Sequence, residues 1–127
     1  MLLVDDSKLV IDLYNFGLND ELYDKKSAVN GREALEIYND WQPDLIVLDI
    51  VMPEVTGYTV LKQIRELEKS NGRRTAIVMA TAMADKSDIV DCARVGIQGY
   101  IIKPFKHAEI SSRLEAYYVT FRKTPGK

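Results

Sequence analysis

The chain has 127 residues, 46% of them hydrophobic, with a formal charge of −2, which suits one compact domain with a single core. Acidic and basic residues are interspersed and the pI is near 5.4, so nothing suggests a nucleic-acid footprint. The single cysteine, Cys92, excludes an internal disulfide and fits a reducing, cytoplasmic setting; no apolar run approaches a membrane span, and Met1 to Val4 reaches Asp5 too soon for a signal peptide.

In chain order, Leu2-Leu3-Val4 reads as a first strand, followed by a helical pattern through Leu9, Leu13 and Phe16 and a strand at Ser27-Ala28-Val29. The alternation continues with a helix from Arg32 to Asn39, a strand from Leu45 to Leu48, a helix from Tyr58 to Lys69 and a strand from Ala76 to Met79. A helix from Lys86 to Arg94, a strand from Tyr100 to Ile102 and a helix from Ala108 to Phe121 close the series. Strands apolar throughout and separated by helices need both sheet faces covered. The expected fold is therefore α/β, a doubly wound five-stranded parallel sheet. Asn30-Gly31 and Asn71-Gly72 are turn dipeptides, Pro43-Asp44 opens a strand and Gly96 closes a helix. The domain is expected to span 1–121, with 122–127 as a polar tail or the start of a linker.

In an open parallel sheet, ligands bind beyond the carboxyl ends of the strands. Asp5-Asp6 follows the first strand, Asp49 ends the third, Thr81 the fourth and Lys103 the fifth. Alone, adjacent aspartates read as a cap or turn, Thr81 as a cap or strand end, and Lys103 as a surface lysine. Asp49 closes a buried strand and needs a partner. Together on one rim, the three carboxylates repel one another and should raise at least one pKa. Hard oxygens with room for water suit Mg²⁺, and an aspartate can act as a nucleophile toward phosphorus.

These residues carry a resemblance to a known family. Val4-Asp5-Asp6-Ser7, Asn30 to Leu35, Pro43 to Asp49, Met52-Pro53 with Gly57, Ala80-Thr81-Ala82, and Gly99-Tyr100 leading to Lys103-Pro104-Phe105 closely resemble the receiver (CheY-like) domains of two-component response regulators. The resemblance covers nearly the whole chain and implies a flavodoxin-like sheet in the order 2-1-3-4-5. It implies that Asp49 is the phosphoacceptor and that Asp6, Asp49 and the Val51 carbonyl ligate Mg²⁺, with Asp5 acting through water. Thr81, the Ala82 N–H and Lys103 would bind the phosphoryl oxygens, and the Lys103-Pro104 bond would be cis. Thr81 and Tyr100 would form the switch, remodelling the face of the fourth helix, fifth strand and fifth helix for partners.

The implied partners are a histidine kinase or phosphotransfer protein, a downstream effector or output domain, and a second copy of the chain through that face. Neither Val51 nor Met83 can hydrogen-bond an attacking water, so a long-lived phosphorylated form is expected. His107 reads as a surface or capping residue, Cys92 as a buried apolar one, and Trp41 as remote from the site. A phosphohydrolase of the haloacid-dehalogenase kind would need Asp-x-Asp on the first strand, which Asp5-Asp6-Ser7 lacks. A binding module that keeps the fold and no longer takes phosphate is the other alternative.

Overall fold

A computed structural model describes residues 1–82 and 86–123. Strands β1 (Leu2–Val4), β2 (Lys26–Ala28), β3 (Leu45–Asp49), β4 (Ala76–Thr81) and β5 (Gly99–Ile102) alternate with helices α1 (Lys8–Gly17), α2 (Gly31–Trp41), α3 (Gly57–Asn71), α4 (Lys86–Val95) and α5 (His107–Lys123). All pairings are parallel, and the order is β2-β1-β3-β4-β5, as the resemblance implies.

Because successive strand residues point to opposite faces, the continuous apolar runs feed two cores. Val4, Ile46, Leu48, Ile77 and Met79 pack in one layer with Ala34, Tyr38, Val60, Leu61, Ile64 and Cys92 from α2, α3 and α4. Leu3, Leu45, Val47, Val78, Ala80 and Ile101 pack in the other with Ile11, Tyr14, Ile110 and Leu114 from α1 and α5.

Three helix starts have a sequence cause. Ser7 caps α1 by accepting from the Val10 N–H, Asn30 caps α2 through the Glu33 N–H, and Thr56 caps α3 through the Thr59 N–H. Asn30-Gly31, expected as a turn, is thus a helix cap with Gly31 as the first helical residue. Asn71-Gly72 ends α3, Gly72 taking the left-handed conformation with φ 74°.

The helix expected on Leu9, Leu13 and Phe16 is present, but that stripe faces solvent: Leu9 is 77% exposed and Phe16 80%. Ile11, Tyr14 and Leu18 form the buried side instead. The second strand ends one residue early, at Ala28, and leaves Val29 exposed. Residues 124–127 of the expected tail lie outside the described residues.

Candidate functional site

The strand register brings the polar residues to one rim. Val4 lies beside Leu48 and Asp49 beside Ala80, so Asp5 emerges level with Asp49. Thr81 pairs with Ile102, which places Lys103 immediately beyond. Asp5, Asp49 and Thr81 are 1%, 3% and 5% exposed, whereas Asp6 is exposed. The site is therefore a buried floor with one open carboxylate.

Lys103 is the charge that ties the floor together. Its Nζ donates to Asp5 Oδ2 at 2.9 Å and lies 3.3 Å from Asp49 Oδ1. The second Asp5 oxygen accepts from the Ser7 N–H at 2.9 Å, so the cap of α1 also orients Asp5. Asp49 Oδ1 accepts a longer bond, 3.4 Å, from the Val51 N–H. The Lys103-Pro104 peptide is cis, as the resemblance implies.

One ammonium does not neutralise the cluster. Burial, then the nearby charge of Asp5, pushes the Asp49 carboxyl up to about 6 despite Lys103 and the Val51 N–H. Burial pulls the Lys103 ammonium down, but the Asp5 hydrogen bond and the charges of Asp49 and Asp5 outweigh it, so its pKa is raised. The expected rise of one carboxylate thus falls on Asp49. Ligand oxygens of Asp5, Asp6 and Asp49 lie within 4.8 Å of one another. This hard, all-oxygen set with an open side can hold a divalent cation.

The backbone beside Asp49 is tightly seated. The Gly57 N–H donates to the Ile50 carbonyl at 2.9 Å, and a Cβ on Gly57 would stand 1.8 Å from the Asp49 carbonyl oxygen. No side chain other than hydrogen fits there. Gly57 was legible as a motif residue, but its reason is this close approach.

Other expected residues fall as follows. Ala82 is exposed and borders the end of β4; Val51 is 70% exposed; Met83 lies outside the described residues. Tyr100 is turned outward, 43% exposed, and its carbonyl accepts from the Tyr117 hydroxyl at 3.1 Å. His107 opens α5 and meets Phe16 edge to face. Cys92 is buried in the core, its thiol pushed up to about 11 by burial, then by Asp88 and Asp91. Trp41 ends α2 at the opposite end of the sheet, with the Lys26 ammonium 5.3 Å from its ring centroid. The direct Lys103 to Asp5 bond was not foreseen, since 98 positions separate the two residues.

The sequence pattern of the response regulator receiver domain family matches residues 1–115. The chain belongs to this family. It is a receiver domain, with a phosphoacceptor role in two-component signalling, and not a metabolic enzyme. The chemotaxis protein CheY of Halobacterium salinarum is 34% identical over 110 residues, covering 87% of this receiver domain and 88% of that protein. The alkaline phosphatase synthesis transcriptional regulatory protein PhoP of Bacillus subtilis is 34% identical over 116 residues, 91% of this chain and 47% of that one. The crystal structure of the receiver domain of NtrX from Brucella abortus superposes with TM-score 0.82 at 28% identity, covering 94% of this chain and 98% of that one. The chain spans about half the length of the transcriptional regulators it matches. Receiver domains of this family work with histidine kinases and output domains. Among the described residues, no helix is long and apolar enough to cross a membrane.

Proposed function

We propose that Asp49 is the phosphoacceptor, taking a phosphoryl group from a histidine kinase or phosphotransfer protein. The observation that carries this reading is a buried Asp49 carboxylate in contact with Lys103 and beside an open, all-oxygen acidic cluster. A carboxylate oxygen of Asp49 attacks phosphorus while the bond from phosphorus to the donor breaks, its electron pair leaving with the donor group. With a pKa of about 6, Asp49 is mostly ionised at pH 7.5 and ready to attack. Thr81, the Ala82 N–H and Lys103 receive the phosphoryl oxygens, Lys103 doing so by exchanging a carboxylate partner for a phosphoryl one.

Asp6, Asp49 and the Val51 carbonyl would hold Mg²⁺, with Asp5 acting through water. When bound, the ion supplies neutralisation of charge on the transferring group. Thr81 and Tyr100 form the switch, and the face of α4, β5 and α5 is where an effector, an output domain or a second copy docks. Exposed Val90, Tyr100 and Ile102 on those elements give that face apolar contact area. The functional unit is 1–121, with 122–127 as tail or linker, working in the cytoplasm.

The test is intact mass after incubation with Mg²⁺ and acetyl phosphate, with Asp49→Asn and EDTA controls. One phosphoryl group, gone in both controls and persisting beyond seconds after desalting, is the expected result. No gain in a folded protein that binds Mg²⁺ would instead indicate a phosphate-independent binding module.

A further inference from the structure

Among the described residues, the Tyr14 hydroxyl is the buried side-chain polar atom with no hydrogen-bond partner, and the whole side chain is inaccessible to solvent. A buried hydroxyl left unpaired is a cost to the fold. Phenylalanine would fill the same apolar layer without it, so the oxygen calls for a use.

Three observations place that oxygen beneath the phosphoacceptor site. First, helix side chains lean toward the helix amino terminus, and α1 starts at the rim, where Ser7 is bonded to Asp5. Tyr14 therefore reaches back toward the carboxylates. Second, Leu3, Val47 and Ile101 share one core layer with Tyr14. Asp5, Asp49 and Lys103 each lie two residues further along their chains and leave the sheet on that same side. Third, the Tyr14 ring stacks on Phe105, with centroids 4.8 Å apart and planes at 16°, two residues beyond Lys103. Burial, then the charges of Asp5 and Asp49, raises the hydroxyl's pKa, which keeps it a proton-bearing donor.

Asp5 has both oxygens engaged, one by the Ser7 N–H and one by Lys103. Once Lys103 turns to a phosphoryl group on Asp49, one oxygen of a nearly inaccessible carboxylate loses its donor. We propose that Tyr14 is a positioning residue of the phosphoacceptor site, its hydroxyl donating to Asp5 when Lys103 moves from Asp5 to the phosphoryl group. The inference rests on the reading of Asp49 given above. A neutral donor suits this task, since it holds Asp5 in place without competing with the cation for charge.

Tyr14→Phe removes the oxygen alone and retains the ring stack. With wild type and Asp49→Asn alongside, phosphorylation by acetyl phosphate at saturating Mg²⁺ is followed by intact mass, and metal-free Tm is measured for each. The limiting rate of Tyr14→Phe should fall by about ten-fold or more, the scale of one hydrogen bond to a charged group. Half-saturating acetyl phosphate should be unchanged and metal-free Tm not lowered. A smaller fall in rate, a changed half-saturation, or a fall accompanied by a lower metal-free Tm overturns the proposal. Wild type that gains no phosphoryl group overturns the reading of Asp49 as well. Wild type that gains it no more than a few-fold faster than Tyr14→Phe overturns only the role of Tyr14.

Discussion

At the amino end of β4, the Arg65 guanidinium donates to the Gly96 carbonyl at 3.0 Å, to Glu68 at 2.7 Å, to the Thr75 carbonyl at 2.9 Å and to Gln98 at 3.0 Å. The acceptors are themselves shared: Glu68 takes the Thr75 N–H and Gln98 the Ile77 N–H. At the carboxyl end of the same sheet, three carboxylates face one lysine, Asp49 titrates well above its ordinary range, and a tyrosine hydroxyl goes unpaired. Both ends take charge out of water. In the first, every charge has its counterpart, and the result is a joint between α3, β4 and the turn before β5. In the second, charge is left over, and what would complete it comes from outside the chain. Saturated polar groups hold architecture, whereas unsaturated ones hold a capacity to bind.

The contrast can be broken most severely at Arg65. Arg65→Met leaves Glu68 and several carbonyls without their donor in a largely buried place, and should cost about 3 kcal/mol in urea denaturation. The rate of phosphorylation per folded molecule should not change. A loss near zero would show that the joint is ornament and erase the distinction. Next in size, Mg²⁺ at about 100 times its Kd should add roughly 2.7 kcal/mol to the wild-type protein, and much less to Asp6→Asn. Equal gains in the two would remove Asp6 from the cation site.

Opposite in sign to the loss at Arg65 is Asp49→Asn without metal. The folded pKa of Asp49, about 6, exceeds the unfolded value near 3.9, so the folded state holds the proton more tightly and wild-type stability falls as pH rises from about 4 through 6. The substitution should therefore raise metal-free stability at pH 7 by up to about 3 kcal/mol, and the benefit should vanish below about pH 4. A destabilised variant at pH 7 would mean that attraction to Lys103 outweighs burial and repulsion. The least change is expected for Trp41, at the far end of the sheet: its fluorescence should stay level on Mg²⁺ addition, and a strong quench would move the cation site.

Most of the fold was legible because apolar runs and helical stretches alternate, and the carboxyl-end rule then put Asp5, Asp49, Thr81 and Lys103 on one edge. The face of α1 was not legible in the same way. Leu9, Val10, Ile11, Leu13, Tyr14 and Phe16 surround that helix with apolar side chains, so a 3.6-residue period admits more than one stripe, and only packing against β1, β3 and α5 selects Ile11 and Tyr14. The Lys103 to Asp5 bond and the Arg65 joint depend on residues far apart in the chain, and no local pattern announces them. Tyr14 was read past for a related reason: an aromatic in an apolar helix looks like core, and it is core except at one atom.

Gly57 sets a boundary for anyone who would rebuild this rim. The 2.9 Å bond from its N–H to the Ile50 carbonyl ties together both ends of the six-residue segment 51–56. That segment is accordingly a cassette whose anchor points are supplied by the scaffold. Met52 is buried in the core, Thr56 caps α3 and the Val51 N–H bonds Asp49, so only the positions between Met52 and Thr56 can be exchanged while the strand of Asp49 stays put. Position 57 is not part of the cassette. An alanine there would drive its methyl into the Asp49 carbonyl and displace the strand end that the rest of the fold is built to aim.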